Sequence, residues 1–231
     1  MEHVLIIQND LLESLGLYEQ YIRDHAELTI IHAYKILKSE ELPDINEFTH
    51  FLVGPTPIGA NDALKHDFLR KEWIYLQTIV DSGKSCFGVC CGGQILAKLL
   101  GGQVLKSPMK EIGGYQINLT YQGTHDPLFS GFSRTFPVFQ WHSDMFTVPS
   151  GGELLATSEP CYVQSFRKGN IWGVMFHLEI TSKDAQRWVN AYSDEPNQIG
   201  KTRDQVLDEC RMNEDEMGQL ASRLMKNFLS Q

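Results

Sequence analysis

The sequence has 231 residues, 42% of them hydrophobic and 21% charged, which is enough apolar material for a full core without disulfides or a structural metal. Its formal net charge is −9 and no basic block or stripe appears, which argues against nucleic acid or an anionic membrane as a partner. No apolar run approaches the roughly 20 residues that a membrane-spanning helix needs.

The opening Met1-Glu2-His3-Val4-Leu5-Ile6-Ile7-Gln8 has a short apolar run without a basic flank, so it reads as a first strand and not as a signal peptide. Asn9-Asp10 then offers a cap for a helix over 11–25. A second β-like run covers 28–34, followed by a charged stretch with Lys38, Glu40 and Glu41. Residues 49–53 predict a third strand that stops at Gly54-Pro55. Apolar residues at near-helical spacing predict a helix over 66–81, ended by Ser82-Gly83. A fourth strand over 85–89 leads into a helix over 94–100. This alternation points to a parallel sheet with crossover helices.

From Gln103 to Met175 the pattern changes to short β-like runs at 104–106, 115–120, 136–141, 154–157, 163–166 and 171–175. These read as an antiparallel extension and the return strands of the same sheet. A helix is expected over 181–192. Residues 202–229 predict a charged, periodic helix or helix pair, which either shields the core or makes a homodimer contact. Residues 1–192 are thus expected to form one α/β domain, with 193–231 a helical extension packed on it.

The five cysteines, Cys86, Cys90, Cys91, Cys161 and Cys210, are odd in number and include an adjacent pair, unlike a disulfide framework. They predict a reducing, cytoplasmic setting. Cys90 stands apart from the others. It lies in Phe87-Gly88-Val89-Cys90-Cys91-Gly92-Gly93-Gln94, at the seam between a buried strand and a helix. A thiol on such a turn is expected to be exposed, and the helix N-terminus behind it favours the thiolate. Further along comes Val174-Met175-Phe176-His177-Leu178-Glu179, a second apolar run ending in polar chemistry. A His there can take the thiol proton and a Glu two residues on can orient it, which points to a cysteine hydrolase or acyl-transfer enzyme.

Gly88-Val89-Cys90-Cys91-Gly92-Gly93-Gln94 resembles the G-x-C-x-G-x-Q nucleophile turn of class I (triad-type) glutamine amidotransferases, and Phe176-His177-Leu178-Glu179 is similar to their F-H-P-E motif. Val53-Gly54-Pro55 looks like their oxyanion-loop glycine. Gln140-Trp141-His142-Ser143-Asp144 falls where the family places a loop that grips the substrate's amino-acid end. The four matches occur in the family's order, so the chain resembles a stand-alone copy of the amidotransferase domain of GMP synthetase.

The resemblance implies a flavodoxin-like three-layer α/β sandwich, with a mostly parallel central sheet. It implies hydrolysis of the side-chain amide of glutamine or a γ-glutamyl compound through a γ-glutamyl thioester on Cys90. His177 would be base and acid, Glu179 its orienting partner, and the backbone N–H groups of Cys91 and Gly54 the oxyanion donors. Gln94, His142 and Ser143 would contact substrate. The family's Pro is Leu178 here, which is expected to loosen the backbone between His and Glu. Gly93 replaces a larger residue, which is expected to widen the pocket.

No cofactor is expected. His125-Asp126 and His142-x-Asp144 could be called metal ligands, but no Cys or His pair has zinc spacing, so no metal is expected either. Gly54 and Gly59 lack the Lys-Ser/Thr of a phosphate loop. Three functions stay open: a self-sufficient γ-glutamyl hydrolase, a glutaminase subunit handing ammonia to a separate synthetase, and a non-catalytic binding or regulatory module.

Overall fold

The runs Val4–Ile7, Phe51–Val53 and Phe87–Val89 are short, apolar and buried on both faces, as inner strands of a parallel sheet must be. In the computed structural model, which describes residues 2–36 and 42–231, they lie in strands β1 (His3–Gln8), β3 (His50–Val53) and β4 (Ser85–Val89), with β2 (Glu27–His32) on the outer edge. All four run parallel. Strands β5 (Val104–Leu119), β6 (Thr135–Phe146), β7 (Glu153–Thr157) and β8 (Val163–Lys168) pair antiparallel. The last strand, β9 (Ile171–Val174), joins the halves, parallel to β4 and antiparallel to β8. Among the described residues the sheet order is β2-β1-β3-β4-β9-β8-β7-β5-β6. The parallel sheet with an antiparallel extension is therefore as expected.

Helices α1 (Gly16–His25), α2 (Asp67–Ser82) and α3 (Cys91–Leu99) follow β1, β3 and β4. After them come α4 (Tyr121–His125), α5 (Ser182–Ala191), α6 (Glu195–Gln198) and α7 (Arg203–Phe228). Alternate strand residues feed two cores. Val4, Ile6, Leu52 and Phe87 pack toward α1, α5 and α7, and Leu5, Ile7, Phe51 and Cys86 pack toward α2 and α3. The sheet is thus covered on both sides, as a three-layer sandwich requires.

Several boundaries differ from the expectation, each for a local reason. The first helix starts at Gly16, not at residue 11, because the Asp10 carboxylate accepts from the Leu12 and Glu13 N–H groups in a turn of its own. The chain then straightens until Leu17 N–H donates to the Glu179 carbonyl at 2.8 Å. The helix expected from residue 94 starts at Cys91. The two runs at 104–106 and 115–120 are one strand, broken in register between Lys106 and Glu111, where Pro108 interrupts the apolar pattern. Residues 140–144 belong to β6 rather than to a loop, since Asp144 pairs with Lys106 and His142 with Glu111. Lys38, Glu40 and Glu41 lie outside the described residues.

Residues 202–229 give one helix and not a pair. Thr202 and Gln205 form a reciprocal capping box at its start. Its buried stripe of Val206, Cys210, Met217, Ala221, Leu224 and Phe228 belongs to the same core as α1 and α5. We expect Leu224→Ala, which removes a fully buried side chain, to cost about 2–5 kcal/mol. A denaturant titration with an unchanged slope and a lowered midpoint would show it.

Candidate active site

The parallel half of the sheet ends, at the carboxyl edge of β4, in Cys90. Its φ is +51°, and it is the one non-glycine residue with a positive φ among the described residues. That conformation is disfavoured for a side chain bearing Cβ and persists only when its surroundings impose it. Here Cys90 N–H donates to the Val174 carbonyl at 2.8 Å, and its own carbonyl accepts from Gln94 N–H at 2.9 Å. The chain must also fold sharply against β3. A Cβ on Gly92 would lie 2.2 Å from the Val53 carbonyl oxygen, so only glycine fits there. What Gly92 avoids is backbone, the Val53 carbonyl.

His177 and Glu179 follow β9. His177 exchanges two backbone hydrogen bonds with Phe139, at 2.8 and 3.0 Å, and its ring stands edge-on to Trp188 with centroids 4.9 Å apart. Its Nδ1 lies 2.6 Å from Glu179 Oε1 in a fully buried pair. The other carboxylate oxygen accepts from Leu178 N–H at 3.0 Å. Leucine at the family's proline position therefore supplies a donor that proline lacks, and it ties the Glu179 carboxylate down instead of loosening it. Burial pulls the His177 ring toward neutrality, but the Glu179 carboxylate and the Cys90 sulfur outweigh it and raise its pKa to about 10. Nδ1 faces Glu179, Nε2 makes no other hydrogen bond, and the Cys90 sulfur lies close enough to help raise the pKa of the ring.

The thiol is 8% exposed and sits against a cavity of about 270 Å³, so it is recessed rather than exposed as the sequence suggested. Cys91, Gln94 and Ser143 line the same cavity, together with Glu13 and Glu195. Gln94 is 4% exposed. The Trp141 carbonyl lies 4.0 Å from Cys90 Sγ. Cys91 opens α3, so its N–H has no acceptor within the helix.

Three features differ from the expectation. Gly54 N–H donates to the Ile7 carbonyl at 2.9 Å, extending the β1–β3 ladder by one residue, so it is not aimed at the thiol. His142 also lines the cavity, but its side chain is 2% exposed and faces Glu111, with Nε2 2.9 Å from Oε2, because its neighbour Trp141 takes the opposite face of β6. Gly93 does not widen the pocket. A Cβ there would meet the Val174 carbonyl at 2.9 Å, so it serves the close approach of α3 to β9.

The structure also adds residues that sequence reasoning missed. Glu13 is buried in the cavity wall and accepts from the Tyr192 hydroxyl at 2.7 Å. Burial raises its pKa to about 7, against the pull of that bond. Asn9 Nδ2 donates both to the Gly54 carbonyl, at 3.1 Å, and to Glu72 Oε1, at 3.0 Å. Burial raises Glu72 to about 8, against that Asn9 bond.

Because Glu72 ionises near 4.5 when unfolded and near 8 when folded, the folded state keeps a proton that the unfolded chain has lost between those values. Its contribution to stability therefore falls as pH rises through that window. We expect Glu72→Gln to leave Tm nearly unchanged at pH 5 and to raise it at pH 9, by a stabilisation on the order of 1 kcal/mol or more. Calorimetry of both proteins at the two pH values measures this, and an equal shift at both would refute it.

The family model "Glutamine amidotransferase class-I" matches residues 17–191. The glutamine amidotransferase-like protein YfeJ of Salmonella typhimurium is 31% identical over 183 residues, covering 77% of this chain and 76% of that protein. One subunit of the glutamine-hydrolysing GMP synthase of Sulfurisphaera tokodaii is 35% identical over 168 residues, covering 71% of this chain and 85% of that relative. A crystal structure of a glutamine amidotransferase from Thermotoga maritima superposes with a TM-score of 0.88 at 27% identity, covering 100% of this chain and 99% of that one. With a matching family model over most of its length, the chain belongs to the class I glutamine amidotransferases.

Proposed function

We propose that this protein hydrolyses the side-chain amide of glutamine or of a γ-glutamyl compound, with Cys90 as nucleophile, His177 as acid and base, and Glu179 as the group that orients His177. The observation that carries this reading is the buried 2.6 Å contact between His177 and Glu179, set behind a thiol held at positive φ. With its pKa near 10, the His177 ring is protonated at neutral pH, and in this mechanism Cys90 reacts as the thiolate. The sulfur attacks the amide carbon, the carbonyl π electrons move to oxygen, and the Cys91 N–H at the start of α3 stabilises that oxyanion. The C–N bond then breaks, and His177 gives its proton to the departing amine. Water adds to the thioester, losing a proton to His177, and the carboxylic acid leaves as the Cys90 thiolate is restored beside the protonated ring.

The test is to incubate the protein alone with L-glutamine and with a panel of γ-glutamyl peptides and amines, and to measure ammonia, glutamate and released amine. Turnover lost in Cys90→Ala supports the reading, and turnover that survives this change refutes it. A thiol inert to alkylation below pH 8, with no turnover of any substrate, would favour the binding-module alternative.

A second reading, a glutaminase subunit feeding a separate synthetase, draws on the GMP synthase relative named above. It also draws on exposed Leu11, Leu64 and Met109, each within a few residues of cavity-lining Glu13, Asp62 or Lys106. In that case glutamine turnover is low for the isolated chain and rises when the partner is added.

A further inference from the structure

Behind the β6 wall of the cavity lies a second cluster that the proposed reaction leaves unused. Glu111 resumes β5 pairing after the register break and stands directly opposite His142 on β6, where a bulge re-aims side chains. Cys161 approaches from the turn before β8. Glu111 and Cys161 are 0% exposed and His142 is 5% exposed. One donor atom from each residue, a carboxylate oxygen, an imidazole nitrogen and a thiol sulfur, lies within 4.8 Å of the other two.

The cluster is poorly satisfied by protein alone. His142 Nδ1, Glu111 Oε1 and the nearby Ser107 hydroxyl are buried without a hydrogen-bond partner, and His142 Nε2 has only its 2.9 Å contact with Glu111 Oε2. The Cys161 thiol makes long contacts, 3.8 Å to the Val163 carbonyl and 3.8 Å to Met145 Sδ, with the Ser107 hydroxyl beside it. Gln164 Nε2 does brace the cluster, donating to Glu111 Oε2 at 3.2 Å and to the Cys161 carbonyl at 3.0 Å. Several orphaned polar atoms gathered in one sealed spot call for a ligand, an ion or water.

We propose that Glu111, His142 and Cys161 bind one divalent transition-metal ion, with zinc the best match to the donor set. A thiolate, a neutral imidazole and a carboxylate together carry two negative charges, so a divalent ion leaves the buried site neutral. Mixed S, N and O donors suit zinc, and three protein ligands leave a fourth position for water or for the Ser107 hydroxyl. Binding uses His142 Nε2 and releases the Cys161 thiol proton to solvent. Nδ1 then calls for a water partner. The site joins β5, β6 and the turn before β8, and β6 also carries Trp141 and Ser143 to the cavity. The ion would therefore set the wall of the active-site cavity without touching the reacting atoms. The ligands come from positions 111, 142 and 161, far apart in the chain, which is why no zinc spacing is readable.

The test uses tag-free full-length protein stripped with a chelator and titrated with Co2+ and with Zn2+ against a chromophoric competitor. We expect one equivalent per chain and a thiolate-to-cobalt charge-transfer band. The band should persist in Cys90→Ala and be lost in Cys161→Ser. Zinc affinity should fall on the order of 100-fold or more in Cys161→Ser and in Glu111→Gln, since each removes a ligand, and loss of a group that merely braces a ligand typically costs about 10–100-fold. A band that vanishes in Cys90→Ala would place the metal at the nucleophile and overturn the assignment, as would absence of stoichiometric binding by the unaltered chain. Where a variant fails to fold, X-ray absorption of the zinc-loaded native chain decides. One sulfur with nitrogen and oxygen donors supports the site, and a shell without sulfur refutes it.

Discussion

Glu179→Gln should lower kcat/KM for glutamine by about 10³- to 10⁴-fold while leaving the fold in place. The carboxylate has two tasks. One oxygen holds His177 Nδ1 at 2.6 Å and the other accepts from Leu178 N–H at 3.0 Å. A glutamine placed so that its carbonyl keeps the Leu178 bond must turn its NH2 toward Nδ1. Nδ1 then becomes an acceptor and the ring proton moves to Nε2, so a neutral ring can no longer accept a proton there. Loss of the negative charge also leaves burial less opposed, so the His177 pKa falls from about 10. The variant therefore shows a second signature, a downward shift of the basic limb in its pH–rate profile. A loss smaller than tenfold, or an unchanged profile, would mean that Glu179 does not orient the histidine.

The parts of the site legible in the sequence are those whose geometry is made locally. Cys90 is flanked by residues that set its own turn, and His177 and Glu179 are two apart on one strand exit, so short motifs carry them. Leu178 marks the limit of motif reading. Its side chain suggested only a missing proline, whereas its N–H proves to be bonded to Glu179. The failures lie where burial or pairing is decided across the chain. His142 turns toward Glu111 because β5 pairs with β6 in a register that Pro108 and the break after Lys106 conceal. Gly54 gives its N–H to Ile7 because β1 and β3 continue one residue further than the turn signal suggests. Asn9 and Glu72 are 63 positions apart and meet only once α2 packs on the sheet.

The fold shows the same division. Short apolar, β-like runs located the strands, and the charged, periodic stretch from residue 202 located α7. The helix expected from residue 11 failed because Asp10 uses its carboxylate in a turn, a competition that periodicity does not register.

Gly92→Ala should be among the most destabilising single changes in the protein, even though it places a better helix former inside α3. Alanine gains about 1 kcal/mol over glycine in a helix interior. Against this, the new Cβ would stand 2.2 Å from the Val53 carbonyl oxygen, 2.8 Å from its carbon and 3.1 Å from the Gly54 carbonyl oxygen. All three are backbone atoms of a buried strand and its turn, so no side chain can swing away. Relief requires α3 to move off β3, which opens the core around Ile95 and Leu96, both buried. The net cost is expected to be about 3–5 kcal/mol, a fall in Tm of roughly 6–20 °C for a chain of this size. Gly151→Ala provides the contrast. Gly151 has φ +76° but nothing within 4 Å of a new Cβ, so only backbone strain of about 1–2 kcal/mol applies. The same shift in α3 carries Cys90 with it, since Cys90 is the residue just before the helix and its carbonyl bonds Gln94. Activity measured at about 15 °C, near the usual temperature of maximum stability, where the variant remains folded, should therefore fall as well. A Gly92→Ala protein whose Tm matches that of Gly151→Ala would show that the nucleophile turn is not wedged against β3.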